Sequence, residues 1–209
     1  MKILRSKSPE HAADMAIKEI SDEYKKICLT GGRFGEILAE RFLANDINIS
    51  SWEIFLTDER LNCSKQEQVI STLLPNLERV TGFNEITFNP FLQGDYMDSY
   101  KYIADKIKDS NFDITFLSLG EDGHLAGQFT NSKLTNDDRF CHTTNALKEP
   151  KERISFNVEH LFKSRKVILA VLGEGKRNAL KNFYQGKGLF ASFCNKNNLV
   201  LITDIDIFN

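Results

Sequence analysis

The chain has 209 residues, of which 41% are hydrophobic and 27% charged, and its formal net charge at pH 7 is −2. These values are ordinary for a soluble globular protein with a substantial core, and the small net charge argues against general nucleic-acid binding. No apolar run reaches membrane-spanning length, and residues 1–5 lack the apolar core of a signal peptide. The four cysteines form no Cys-x-x-Cys pair, so we expect reduced thiols, no zinc site and a cytoplasmic protein.

The beginning of the chain alternates helix and strand patterns. Residues 8–24 are predicted to form a helix, with Ser8 as its cap and Pro9 at its first position. Residues 25–30 are predicted to form a strand that ends in Gly31-Gly32-Arg33 and is followed by apolar residues at helical spacing. A strand, a glycine turn and a helix are typical of a phosphate site, because glycines let backbone N–H groups approach an anion at the positive helix end. A plain tight turn explains the glycine pair equally well, and its spacing is neither the dinucleotide nor the P-loop pattern.

A second predicted strand, residues 52–57, ends in Asp58-Glu59-Arg60. Residues 64–67 form a capping-box sequence, which predicts a helix from there to about Leu74 that Pro75 ends. We therefore predict that the three charged residues occupy a short strand-to-helix loop. Such a loop is commonly just solvated, but this one would face the same sheet edge as the glycine turn. An arginine at that edge could grip a phosphate with its planar fork.

The most informative stretch is residues 112–124. It begins with an apolar run, residues 114–119, typical of a strand that is buried on both faces. The run ends in Gly120-Glu121-Asp122-Gly123-His124, at the carboxyl end of the strand, where open α/β sheets bind their ligands. The glycines would let the chain turn sharply and bring Asp122 and His124 to one pocket.

The remaining elements continue the alternation of strands and helices. Helices are predicted at 94–108, at 157–163 and from Lys176 to about Phe183, an exposed loop at 131–138, and strands at 86–88, 140–144, 153–156, 166–172 and 199–203. The strand at 166–172 ends in Gly173-Glu174-Gly175-Lys176. This order predicts one α/β domain, residues 1–209, in which helices cover both faces of a mostly parallel sheet.

Taken in order, the polar segments resemble those of a known family. They are Gly31-Gly32, Asp58-Glu59-Arg60, Gly120-Glu121-Asp122-Gly123-His124, Arg153-Ile154-Ser155 and Gly173-Glu174-Gly175-Lys176. The set looks like the 6-phosphogluconolactonases, within a wider group that includes the glucosamine-6-phosphate isomerases, and the similarity runs from about Ile27 to Leu180. It implies a Rossmann-like fold of the isomerase and CoA-transferase type, no cofactor, and hydrolysis of 6-phosphoglucono-1,5-lactone to 6-phosphogluconate in the pentose phosphate pathway. A sugar phosphate is then the expected partner, with no metal, nucleic acid or membrane.

The chemistry of a lactone fits these residues. A lactone is an activated ester, so its hydrolysis needs a positioned water, a base and stabilisation of an oxyanion. His124 is the predicted base, since histidine side chains ordinarily titrate near neutral pH, and Asp122 is predicted to orient the imidazole ring. No Gly-x-Ser-x-Gly elbow is present, which favours direct attack by water over an acyl-enzyme.

The basic and glycine residues of the set are assigned to the phosphate. Their predicted members are Gly31, Gly32, Arg33, Arg60 and Lys176. Arg153 is added to this group, although it could instead hold neighbouring loops by hydrogen bonds. Binding energy at the remote phosphate can position a lactone against the histidine.

The chain departs from the lactonase pattern, and two other functions stay open. Lactonases usually carry a serine or threonine and then a proline after the glycine pair, where this chain has Arg33-Phe34-Gly35, and Thr130 replaces another proline. The nearest alternative, a sugar-phosphate isomerase or deaminase, would have a carboxylate soon after the Gly-His pair, but residues 125–136 contain no acid. A non-catalytic sugar-phosphate-binding protein would be expected to lack the base, yet Asp122 and His124 are present.

Overall fold

The computed structural model describes residues 1–135 and 137–206. Its strands are β1 Lys2–Arg5, β2 Lys26–Leu29, β3 Glu53–Leu56, β4 Asp58–Arg60, β5 Phe88–Asn89, β6 Ile114–Ser118, β7 Lys133–Leu134, β8 Phe140–Thr143, β9 Arg153–Phe156, β10 Lys166–Val171 and β11 Leu199–Thr203. Its α-helices are α1 Pro9–Ile17, α2 Gly32–Ala44, α3 Val69–Leu77, α4 Tyr96–Ile107, α5 Val158–Leu161 and α6 Arg177–Tyr184. Single 3-10 turns lie at Lys65–Glu67, Glu85–Thr87, Glu174–Lys176 and Ala191–Phe193.

Seven strands form a parallel sheet in the order β1-β11-β10-β6-β2-β3-β5. Two hydrophobic clusters cover its faces, one including α4, α5 and α6 and the other α1, α2 and α3. Phe116 and Leu117, neighbours in β6, belong to different clusters, as expected where successive side chains point to opposite faces. The predicted α/β fold, a mostly parallel sheet between two helical layers, is confirmed. No helix in the described ranges is long and apolar enough to span a membrane.

A second, antiparallel sheet has the order β4-β9-β8-β7. The chain passes into it at Thr57, whose N–H donates to the Leu29 carbonyl of β2 and whose own carbonyl accepts from the Phe156 N–H of β9. The prediction of a loop at Asp58–Arg60 was therefore wrong: these residues form β4, because Thr57 carries them directly against a strand almost a hundred residues away. The predicted loop at 131–138 likewise contains the short strand β7, and Asn136 lies outside the described residues.

The end of the first helix also differs from the prediction. α1 begins as predicted, with the Ser8 hydroxyl accepting the His11 N–H, but it ends at Ile17 rather than at residue 24. Beyond it Glu19 is tied to two strands, since its carboxylate binds the ammonium groups of Lys2 and Lys166 at 2.5 and 2.8 Å. Those contacts hold the segment after α1 against β1 and β10.

The capping box and Pro75 behave differently from the prediction. The box is present, but it closes only the 3-10 turn at Lys65–Glu67, and α3 begins separately at Val69. Pro75 lies inside α3. An interior proline costs about 3 kcal/mol, whereas complete burial of Leu73 and Leu77 contributes about 2 kcal/mol for each side chain. Packing thus outweighs the local cost, and the helix continues to Leu77.

The start of α3 is held by a buried carboxylate. Glu59 is fully buried, and its side chain accepts the backbone N–H groups of Val69 and Ile70 at 2.6 and 2.9 Å and that of Arg60 at 2.7 Å. Burial raises the pKa of Glu59 to about 6, and the three N–H donors only partly oppose this shift. The predicted solvated charge is therefore a helix cap supplied by a neighbouring strand.

This arrangement predicts a specific dependence of stability on pH. The folded carboxyl group keeps its proton to a higher pH than the unfolded one, so stability that is present at acid pH is lost as the pH rises through about 6. Relative to the Glu59→Gln variant, which cannot titrate at this position, the free energy of unfolding of the wild type should fall by up to about 2 kcal/mol between about pH 4 and pH 7. Urea unfolding of both proteins measures the difference. A difference that is constant or increases with pH would contradict the assignment.

Candidate active site

A cavity of about 390 Å³ lies at the carboxyl edge of the parallel sheet. Residues that follow four of its strands line the cavity: Gly31, Gly32 and Arg33 after β2, Asp58 and Arg60 after β3, Gly120, Glu121 and His124 after β6, and Gly173 and Lys176 after β10. Arg153 also lines it, whereas Asp122 lines an adjoining cavity of about 220 Å³. The structure thus brings the predicted polar segments together around a space of the size that holds a small ligand.

His124 and Asp122 form a hydrogen-bonded pair. Nδ1 of His124 lies 2.5 Å from Oδ1 of Asp122, which also accepts the His124 backbone N–H at 3.2 Å. Burial opposes ionisation of Asp122, but the hydrogen bond and the positive charge of His124 outweigh it, so the pKa of Asp122 lies below its usual value. An ionised Asp122 accepts a hydrogen bond from Nδ1–H, and the lone pair of the neutral imidazole is then on Nε2. Nε2 has no hydrogen-bond partner among residues 1–135 and 137–206.

The turn before His124 is shaped by close approach. A Cβ atom at Gly120 would lie 2.1 Å from Nδ1 of His124 and 2.7 Å from Oδ1 of Asp122, so a side chain at position 120 would displace the pair. On its other side the imidazole stacks on Phe129, with ring centres 4.5 Å apart. The ring is therefore held by a carboxylate at one nitrogen and by an aromatic face.

Lys176 is placed by the turn that follows β10. The turn starts at Gly173, which has φ +90° and donates its N–H to Oδ1 of Asp204 at 2.9 Å. The Lys176 ammonium donates to the Ser118 hydroxyl at 2.8 Å. Burial, partly opposed by nearby Glu121, lowers the pKa of Lys176. Sequence reasoning did not select Ser118 or Asp204, although a serine that ends an apolar strand run was a usable signal.

Two arginines lie side by side in the second sheet, since Arg60 of β4 pairs with Arg153 of β9. Arg60 donates from Nη1 to the Glu67 carbonyl at 2.7 Å, and Arg153 makes a longer contact, 3.4 Å, from Nη2 to the Lys148 carbonyl. Within the described ranges, Nε of each arginine is buried without a hydrogen-bond partner. Both side chains therefore retain donors for a ligand.

The glycine turn opens α2 toward the cavity. α2 starts at Gly32, which has φ +65°, and no side chain caps its first N–H groups. A Cβ at Gly31 would lie 2.5 Å from Val69, so the turn packs tightly against α3. Arg33 is exposed at the cavity and makes no hydrogen bond to the described residues. Unsatisfied N–H groups at a helix start, with a cation beside them, favour an anion.

The charges around the cavity are unevenly divided. Five cations line it against three carboxylates: Arg33, Arg60, Lys148, Arg153 and Lys176 against Asp58, Glu121 and Asp204. A cavity with this excess of positive charge attracts anionic ligands.

No group of three or more potential metal-ligating side chains was found in the described part of the chain. A parallel sheet with a histidine–aspartate pair and an uncapped helix start at its carboxyl edge is the arrangement of an α/β enzyme whose ligand binds at that edge.

Comparison with known proteins identifies the family. The family model described as glucosamine-6-phosphate isomerases/6-phosphogluconolactonase matches residues 6–196. A 6-phosphogluconolactonase of Borreliella burgdorferi is 29% identical over 174 residues, covering 78% of this chain and 74% of the relative. A 6-phosphogluconolactonase of Chlamydia pneumoniae is 30% identical over 195 residues, covering 88% of this chain and 74% of the relative. The chain belongs to the glucosamine-6-phosphate isomerase/6-phosphogluconolactonase family.

Solved structures agree at the level of the fold. A 6-phosphogluconolactonase from Trypanosoma cruzi superposes with a TM-score of 0.77 at 20% identity, covering 97% of this chain and 93% of that one. A monomeric glucosamine-6-phosphate deaminase also superposes with a TM-score of 0.77, at 16% identity and with 97% of both chains covered. Both branches of the family share this fold, so the choice between their reactions depends on the site.

The Asp122–His124 pair predicts a particular proton position. Replacing Asp122 by alanine removes the acceptor at Nδ1, and we expect the neutral imidazole of His124 to change from mainly Nδ1-protonated to mainly Nε2-protonated. Nitrogen NMR of ¹⁵N-histidine-labelled protein above neutral pH distinguishes the two forms. Glu121→Ala is the matched control, since it removes a neighbouring acid of the same turn that does not bond to the ring. Persistence of the Nδ1–H form in Asp122→Ala would contradict the assignment.

Proposed function

We propose that the protein is a single-domain enzyme that hydrolyses 6-phosphoglucono-1,5-lactone to 6-phosphogluconate, the lactonase step of the pentose phosphate pathway. Membership of the family and the named lactonase relatives support this proposal. We also propose a cytoplasmic location, which the free thiols of the four cysteines favour.

The contact between Phe129 and His124 carries the choice between the two branches of the family. The isomerase branch is expected to place a carboxylate soon after its Gly-His pair, to assist ring opening together with the histidine. Here the phenyl ring of Phe129 stacks on the imidazole at 4.5 Å, and residues 125–136 contain no acid. An aromatic face can hold the ring but cannot transfer a proton, which favours ester hydrolysis over isomerisation.

His124 acts in this proposal as the general base. Nε2 takes a proton from a water whose oxygen attacks C1 of the lactone, and the electrons of the carbonyl bond move onto the carbonyl oxygen. Asp122 stabilises the imidazolium that forms. Collapse of the tetrahedral intermediate restores the carbonyl and breaks the bond between C1 and the ring oxygen. That oxygen takes the proton from His124, and the new carboxyl group loses its proton to solvent.

The phosphate is bound away from the reacting carbon. We assign it to the open first turn of α2 at Gly31 and Gly32, with the charges of Arg33, Arg60 and Lys176. In this chain Arg33 contributes a cation where the related lactonases usually carry a hydroxyl. Binding at this remote group positions the lactone against His124 without taking part in the chemistry.

A direct assay tests the proposal. Freshly prepared 6-phosphogluconolactone is supplied, and 6-phosphogluconate is measured above the spontaneous rate of hydrolysis. His124→Ala should lower kcat roughly 100- to 10,000-fold, the range for loss of a general base. Lys176→Ala should chiefly raise KM, by about tenfold or more, because a charge-assisted contact to phosphate is lost. His11→Ala, a histidine of α1 whose side chain is outside the site, is the control and should match the wild type.

Two outcomes would overturn the lactonase assignment, and a third would overturn the roles given to His124 and Lys176. If the wild type binds sugar phosphates but does not accelerate lactone hydrolysis, the chain is a non-catalytic sugar-phosphate-binding protein. Release of ammonia from glucosamine 6-phosphate, without lactonase activity, would place the chain in the deaminase branch. Equal and small effects of His124→Ala and Lys176→Ala on lactone hydrolysis would show that the roles are assigned to the wrong residues.

A further inference from the structure

Arg153 is a buried cation whose bonding capacity is largely unused. The residue is 6% exposed, yet its only hydrogen bond within the described ranges is the 3.4 Å contact to the Lys148 carbonyl, and its Nε is without a partner. Buried charged groups are normally paired, because an uncompensated charge is expensive to remove from water. Burial lowers the pKa of Arg153, and Asp58 only opposes this shift from a distance. The missing partner is expected to be a ligand of the cavity that Arg153 lines.

The position of Arg153 relates it to the reacting end of the site. Its guanidinium carbon lies 5.6 Å from the centre of the Phe129 ring, and that ring stacks on the imidazole of His124. The charges that act on Arg153 include those of Asp58, Arg60 and Asp122, the partner of His124. Lys176 has a different set of charged neighbours, namely Glu121, Lys148 and Asp204. The two cations thus occupy different electrostatic surroundings within one cavity.

We propose that Arg153 binds the oxygen atoms at C1 of the substrate: the oxyanion during reaction and the carboxylate of the product. Its Nε–H and one Nη–H point in the same direction from a planar group, which matches the two oxygens of a carboxylate. The inference rests on the proposed lactonase function and assigns a separate anion subsite to the sugar-acid end. The phosphate end keeps the start of α2, Arg33, Arg60 and Lys176, so that Arg60 and its strand neighbour Arg153 serve the two ends of the substrate.

The reaction develops negative charge on the oxygen atoms at C1, where we place the guanidinium of Arg153. Attack by water converts the neutral carbonyl oxygen at C1 into an oxyanion, and collapse and loss of a proton leave a carboxylate there. Arg153 transfers no proton in either step. Because the charge at C1 is absent from the lactone, the guanidinium stabilises the transition state and the product more than the substrate. Replacement should therefore lower kcat more than it raises KM.

The test compares two ligands that differ only at C1. Binding of 6-phosphogluconate, which has a carboxylate, and of glucitol 6-phosphate, which has a hydroxymethyl group, is measured by titration calorimetry. Arg153→Met should weaken 6-phosphogluconate binding by about tenfold or more and leave glucitol 6-phosphate binding within about twofold. Arg153→Lys, which keeps the charge but loses the fork, should show an intermediate loss. Lys176→Ala should weaken both ligands.

The controls separate folding from recognition. Glucitol 6-phosphate binding by each Arg153 variant reports an intact site, and Arg153→Lys serves if Arg153→Met does not fold. Arg165→Ala is the matched arginine control, since Arg165 precedes β10 at the opposite edge of the sheet and pairs with Glu23. It should bind both ligands as the wild type does.

The possible failures are distinguishable. Equal weakening of both ligands by Arg153→Met would place Arg153 at the phosphate, and no effect on either would make it a packing residue. Both results overturn the inference while lactonase turnover by the wild type still stands. A wild type that binds both ligands but does not hydrolyse the lactone would remove the proposed function instead, and the role in transition-state stabilisation with it.

Discussion

The backbone pairing of β4 with β9 is the constraint on which the candidate site depends. Thr57 leaves the parallel sheet through one hydrogen bond to β2 and enters the antiparallel sheet through another to β9. From that point Asp58, Glu59 and Arg60 have fixed directions. Glu59 is turned inward to hold the start of α3, while Arg60 lies beside Arg153 at the cavity. A flexible loop could supply the same charges, but it would not order two adjacent guanidinium groups against the end of the sheet.

Burial and neighbouring charges have opposing effects on the ionised groups of the site. Burial acts against the charged forms of Asp122, Lys176 and Arg153 alike. Asp122 is compensated within the protein by His124, so its carboxylate is stabilised before any ligand binds. Lys176 and Arg153 are only partly compensated, by nearby carboxylates that oppose the effect of burial. The groups left partly uncompensated are those assigned to bind anions, whereas the group assigned to orient the base is already satisfied.

Patterns of neighbouring residues predicted the parallel fold and most of the polar residues that line the main cavity. The apolar runs of β6 and β10 identified buried strands, and their polar ends located the edge at which ligands bind. Structure that depends on contacts between residues far apart in the sequence was not predictable from local patterns. The charged run Asp58–Arg60 has no strand signal, because its strand conformation comes from β9. Pro75 suggested a helix end, since burial of Leu73 and Leu77 is not visible in the local pattern. Asp204 belongs to no motif, and only the folded chain places it against Gly173.

The close approach of Val69 to Gly31 limits how the glycine turn at Gly31-Gly32 can vary. A side chain at position 31 would strike Val69 unless position 69 became smaller at the same time, so substitutions there must be paired. Arg33, two residues further along the chain, is exposed and makes no hydrogen bond to the described residues. A single replacement at position 33 therefore alters the charge of the site without disturbing its packing, whereas a larger residue at position 31 requires a second replacement at position 69.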